Sequence, residues 1–232
     1  MEVAGCALPE DRLYDLENDV WYQTEPGGEF ARVGLLGPLV WFAGRFQSVA
    51  FRPVDGTIGR GRSVATVESQ RYTGAVRLPV DAEIVERNRA IVERPRTLND
   101  APYDDGWVVR VKPVGAAHLP PTLETAVAVR ERIAERIRVQ RIRCWPQTPE
   151  TELFEIGIEC SAVLTMLNEE LRRWPAGSSV LLVTDDPTSP IEMERWSDQT
   201  GHTLLARRDE GNLHQFLVRK EANPTPKRRP GS

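Results

Sequence analysis

Three cysteines, Cys6, Cys144 and Cys160, are the soft nucleophiles of this 232-residue chain. Cys160 holds the most informative place. Directly before it, Phe154, Ile156 and Ile158 alternate with Glu155, Gly157 and Glu159, a period of two that predicts a half-buried strand. Directly after it, Val163, Leu164, Leu167, Leu171 and Trp174 follow helical spacing, and Pro175 and Gly177 end the run. A cysteine at such a turn meets unpaired N–H groups and the positive end of a helix dipole, both of which favour a thiolate. In such settings a thiol pKa falls from about 8.5 to as low as ~3.5–7.5. A thiolate attacks one sulfur of an S–S bond and displaces the other as a thiol. This exchange needs neither metal nor cofactor. Glu159 acts against it, because a neighbouring carboxylate raises a thiol pKa. The competing reading of any single cysteine is a small buried apolar residue.

Cys144 is the candidate secondary thiol. It follows an arginine-rich stretch whose charge favours a thiolate, and it reads either as a relay to or from Cys160 or as a plain linker cysteine. Cys6 lies near the chain end. With no CxxC and no Cys/His cluster, neither a disulfide framework nor a metal site is expected. Asp185-Asp186-Pro187 reads as a helix start rather than a metal pair, with Pro187 early in a helix that runs towards Thr200 and stops at Gly201. His202, just after that glycine, is expected to cap or pack, and His118 and His214 show no partner in the sequence.

The elements that position these residues fall into two groups. Up to residue 115 the chain reads as short strands, such as Ala31 to Leu36, Ser63 to Val67 and Trp107 to Val111, separated by glycine and proline turns. A short helix is expected around Arg87 to Glu93. Glycine at this density suits a small barrel or sandwich. Residues 116–150 read as a linker with one helix, Leu123 to Arg143, striped by Ala126, Val129, Ile133 and Ile137. Residues 151–221 give β-α-β-α-β-β, with a buried strand at Val180 to Val183 and a closing hairpin around Glu210-Gly211-Asn212. That order predicts a two-layer α/β sandwich. The proline-rich, basic residues 222–232 are expected to be a disordered tail.

Composition sets the outer bounds. Hydrophobic residues make up 40% and charged residues 28%, the balance of a globular chain. A net charge of -4 excludes a general polyanion binder, so no direct nucleic-acid partner is expected. No apolar run approaches the ~18 residues of a membrane span. Met1 to Asp11 carries neither the basic nor the apolar segment of a secretory leader, and the cytoplasm is the expected location.

Residues 8 to 113 resemble the glycine cleavage H protein and its lipoate-binding relatives. The resemblance rests on Pro9-Glu10-Asp11 through Trp21, on Ser63-Val64-Ala65-Thr66-Val67-Glu68-Ser69, and on Glu83 to Pro95 followed by Leu98-Asn99-Asp100-Ala101-Pro102-Tyr103-Asp104-Asp105-Gly106-Trp107. It implies a mainly-β lipoyl-type domain, a barrel-sandwich hybrid, over residues 1–115. The wording of the hairpin leans towards the lipoate-binding members associated with sulfur oxidation. In that family a lysine two residues after Glu-Ser, at a hairpin tip, is acylated by lipoate. Here Arg71 stands at that position, no lysine occurs before Lys112, and only three of the 30 basic residues are lysine. A guanidinium stays protonated and is a poor acyl acceptor. The expectation is therefore a lipoyl scaffold without a lipoyl cofactor. Arg71 is either an anion or partner contact, or a surface residue left after loss of the modification.

Residues 152 to 220 resemble the TusA/SirA-like sulfur carriers. Ile156-Gly157-Ile158-Glu159-Cys160 fits that family's first strand and its cysteine. Gly177, the Val180 to Val183 strand, Asp185-Asp186-Pro187, Ile191, Trp196, Thr200-Gly201-His202 and Leu213 to Lys220 fit its later landmarks. Ser161, Ala162 and Val163 replace the residues of the family's Cys-Pro-x-Pro motif, although Ser161 retains a side chain able to cap the helix. Together the resemblances imply an α+β fusion protein of sulfur trafficking. Cys160 would carry sulfane sulfur as a transient persulfide, acting as a sulfurtransferase between a protein donor and a protein acceptor. The H-like half would dock heterodisulfide-reductase-like or lipoate-pathway proteins. The alternative is a non-catalytic adaptor for such enzymes. A weaker reading is tRNA thiolation through a partner.

Overall fold

The computed structural model describes residues 1–115 and 119–226. His118 and residues 227–232 of the expected tail lie outside the described residues. The chain divides into two compact units, Met1–Cys144 and Trp145–Ser232.

The first unit runs β1 (Glu2–Val3), β2 (Cys6–Ala7), β3 (Leu13–Asp15), β4 (Val20–Thr24), β5 (Ala31–Leu35), α1 (Gly37–Ala43), β6 (Phe46–Phe51), β7 (Thr57–Ile58), β8 (Ser63–Ser69), β9 (Thr73–Arg77), β10 (Ala82–Arg87), α2 (Ala90–Glu93), α3 (Thr97–Asp100), β11 (Trp107–Pro113), β12 (Glu124–Thr125) and α4 (Ala126–Val139). One sheet has the order β12-β3-β4-β5-β11-β10-β7, and a second has β6-β8-β9. Their inward side chains form one core that includes Val20, Val33, Val49, Val64, Val67, Val76, Val109 and Val111. Inward residues two apart on each strand, such as Val109 and Val111, are what this packing requires. The result is the sheet-rich lipoyl-type arrangement expected for this half.

A second core lies on the outer side of the larger sheet. Trp21 and Tyr14 are fully buried there against Ala126, Val129, Ile133 and Ile137 of α4. The helix assigned above to a linker is thus an integral element of the first unit, which ends at Cys144 and not at residue 115. Its 3.6-residue stripe was visible, but the sheet face that it covers is invisible to a local reading. Thr125 caps it, accepting a hydrogen bond from Ala128 N–H at 3.3 Å.

Cys6 and Cys144 form a disulfide, with Cα atoms 5.1 Å apart and a sequence separation of 138. This corrects two expectations. Cys144 is not an available second thiol, and the scattered cysteines do pair. The fold explains it: β1 packs against α4 and pairs with β2, which carries Cys6, and both cysteines join the same buried cluster.

The second unit runs β13 (Thr151–Glu155), α5 (Cys160–Arg173), β14 (Ser179–Thr184), α6 (Ser189–Thr200), β15 (Thr203–Glu210) and β16 (Leu213–Arg219). The sheet order is β13-β14-β16-β15, with β13 parallel to β14 and the other pairs antiparallel. Both helices pack on one face, with Val163, Leu167, Leu171, Met193 and Trp196 meeting Val180, Leu182, Phe216 and Val218. This is the βαβαββ two-layer sandwich. Gly201, at φ +74°, closes α6 as expected. That helix begins at Ser189, so Pro190, and not Pro187, takes the early helical position.

Candidate functional site

The turn before Cys160 departs from the alternation read in the sequence. The strand ends at Glu155, and Gly157 turns the chain at φ +73°, a conformation that suits a residue without Cβ. Leu153 and Ile158 face the core, whereas Phe154 and Ile156 are 61% and 50% exposed. The apolar phase of the strand is one residue out of step with the expected alternation, because the turn at Gly157 breaks the period before Ile158.

Two carboxylates from the end of β14 hold this turn. Asp185 Oδ1 accepts the Gly157 N–H at 2.7 Å, and Asp186 Oδ2 accepts the Cys160 N–H at 2.8 Å. Asp186 Oδ1 also accepts the Thr188 N–H and hydroxyl, each at 2.7 Å. The N-cap residue of α5 is Glu159, whose side chain makes no capping bond, and Ser161 lies inside the first turn. The cap expected from Ser161 is supplied instead by Asp186, from a segment 26 residues away. Asp185 and Asp186 are clamps between two loops, a role that no local pattern announces.

Cys160 is the free cysteine, and only 7% of it is exposed. Burial pushes its thiol pKa up, and the charges of Asp186 and Glu192 push it the same way. The helix N-terminus does not prevail, since one of its N–H groups is already committed to a carboxylate. Asp186 itself is held low, chiefly by its two hydrogen bonds from Thr188, with help from the Cys160 N–H and from charge on His214. His214 does have a partner: its Nδ1 lies 2.6 Å from Asp209 Oδ1.

Arg71 stands between β8 and β9, at the tip of their hairpin, where Ser69 N–H bonds the Tyr72 carbonyl at 2.8 Å. Its side chain folds back onto the end of α1. Arg71 Nη2 donates to the Trp41 carbonyl at 3.4 Å, and Ser69 Oγ donates to the Ala43 carbonyl at 2.6 Å. A cation near the last carbonyls of a helix is favourable. A Cβ on Gly44 would lie 2.8 Å from Arg71 Nε, so that glycine makes room for the guanidinium. Phe42 and Tyr72 meet edge to face beside it, with ring centroids 6.4 Å apart. Lys112 is engaged with Glu29 at 2.9 Å on a different strand and supplies no amine to the tip.

The model of the family described as glycine cleavage H-protein matches residues 12–136, more than half of the chain. The chain belongs to that family. Its H-protein half is 35% identical over 147 residues to glycine cleavage system H protein 5 of Aquifex aeolicus, covering 62% of this chain and 98% of the relative. It is 39% identical over 112 residues to glycine cleavage system H protein 3 of the same organism, covering 48% of this chain and 69% of the relative. A crystal structure of a glycine cleavage system H protein from Mycobacterium marinum is 29% identical, covers 54% of this chain and 98% of that one, and has a TM-score of 0.48. Residues 155–220 match the family described as sulfurtransferase TusA. The molecule therefore joins an H-protein domain to a TusA domain. The H-protein match runs through Arg136 inside α4, in agreement with the burial of that helix in the first unit. Among the described residues, no helix is long and apolar enough to cross a membrane.

Proposed function

We propose that Cys160 carries sulfane sulfur as a persulfide and passes it to a partner thiol, while the H-protein domain docks a protein partner without bearing a lipoyl group. The observation that carries this reading is the free thiol at the head of α5, in the strand-to-helix turn of a TusA domain. The loading step balances as Cys160–SH plus R–S–SH giving Cys160–S–SH plus R–SH. The new S–S bond forms as the donor's breaks, and the thiol proton ends on the departing donor sulfur. Donor and acceptor are cysteine-bearing proteins of sulfur oxidation or sulfur relay, heterodisulfide-reductase-like or lipoate-pathway proteins among them. The reading places the exchange in the cytoplasm, where disulfides of the Cys6–Cys144 kind are uncommon.

A second reading is a non-catalytic adaptor. It draws on the low exposure and raised pKa of Cys160 and on the arginine at the hairpin tip. Intact mass of the reduced protein after exposure to a persulfide donor separates the two. The carrier gains sulfur that reductant removes, and Cys160→Ser gains none. No gain, or an equal gain in the Ser variant, leaves the adaptor.

A further inference from the structure

Cys160 enters the exchange as a thiol, so its proton needs an acceptor. Carboxylates crowd the turn: Asp186 and Glu192 act on Cys160, and Asp185 holds the neighbouring Gly157. None of them is a useful base at neutral pH, because an ionised carboxylate takes a proton only several units lower.

The register of the sheet brings one better group to this end of the fold. Glu155 of β13 pairs with Thr184 of β14, Thr184 with His214 of β16, and His214 with Asp209 of β15. These four residues form one row across all four strands. The row shares the face of Val180, Leu182, Phe216 and Val218, which is the face that α5 and α6 cover. It lies at the carboxyl ends of β13 and β14, where the loops leading to Cys160 and to Asp186 emerge, the end of an open α/β sheet where ligands commonly bind. Asp209 accepts from His214 at Nδ1 and is itself held by Arg207 at 2.8 Å. With Nδ1 engaged, Nε2 is the ring nitrogen left to accept a proton. Asp186 connects the two sites: it holds the Cys160 N–H, and it feels the charge of His214.

We propose that His214, oriented by Asp209, is the acid–base partner of Cys160. It takes the thiol proton as Cys160 attacks the donor persulfide, and it returns that proton to the departing donor sulfur. The imidazolium formed in between lies at the same end of the sheet as Asp186, which feels its charge, and it offsets the negative field that opposes a thiolate. The charged groups on the elements around His214 are Asp209 and Arg207 on β15, Glu155 on β13, Asp185 and Asp186 after β14, and Glu192 on α6.

This inference rests on the carrier reading, but its test does not. The full-length protein is alkylated at Cys160 with iodoacetamide from pH 5 to 10, beside His214→Gln and Asp209→Asn. Folding of each variant is checked by circular dichroism. The expected wild-type profile has an inflection at lower pH than that of the thiol itself. His214→Gln removes this inflection and slows alkylation at pH 7 about tenfold, the effect of one unit of thiol acidity. Asp209→Asn weakens it. Profiles that superimpose for all three proteins overturn the inference, even if the wild type loads sulfur. Failure to load sulfur with the inflection intact overturns the carrier reading alone.

Discussion

His202 shows how one residue ties the second unit to pH. Its Nδ1 accepts the Glu221 N–H at 3.2 Å, so the native ring is unprotonated at that nitrogen. Burial, reinforced by Lys220, lowers its pKa below 6.5. A histidine depressed in the folded state binds a proton more readily when unfolded. Its stabilisation is complete above the unfolded pKa and is lost as pH falls from there through the folded pKa. Urea midpoints of the second unit should therefore drop between about pH 7 and 5, and His202→Asn should flatten that slope. At the hairpin tip, Arg71→Lys restores an acylable amine between Ser69 and Tyr72. Given a lipoate ligase, ATP and lipoate, the variant should gain one lipoyl group by intact mass, and the wild type none. A lipoylated wild type would refute the reading of Arg71.

Among the elements, α4 decides where the first domain ends. Ile133 is fully buried against the outer face of the larger sheet, and Ile133→Ala should cost about 2–5 kcal/mol in chemical denaturation. A helix that was only a linker would show almost no change. Strands and helices were legible where a strong period lay between clear stops. Val180 to Val183 read as the buried strand that became Ser179–Thr184. The helix striped by Val163, Leu167 and Leu171 began at Cys160. What failed was information held across the fold. The carboxylate that caps α5 comes from beyond β14, the partner of His214 comes from the facing strand, and Phe154 turned outward because Gly157 ends the alternation. Hydrogen bonds of this kind leave no mark at fixed sequence spacing. The position of Cys160 could be read from the sequence, whereas the clamp around it could not.

At the scale of the whole chain, the Cys6–Cys144 bond closes nearly all of the first unit into one covalent loop. Cross-links of this span restrict the unfolded chain by about 3–5 kcal/mol. Cys6→Ser with Cys144→Ser, or full reduction, should raise hydrogen exchange throughout residues 1–144, most clearly along β1, β2 and α4. Unchanged exchange there would show that the bond adds nothing to the core it crosses. The position of the bond has a mechanical consequence as well. The backbone leaves the first unit at Cys144, and Trp145 already belongs to the second. A pull between the two ends of the chain passes through the sulfur bridge from residue 144 to residue 6 and bypasses every residue between them. That loop, across a sequence separation of 138, is shielded from load, and roughly 450–500 Å of contour stays hidden until a reductant releases it.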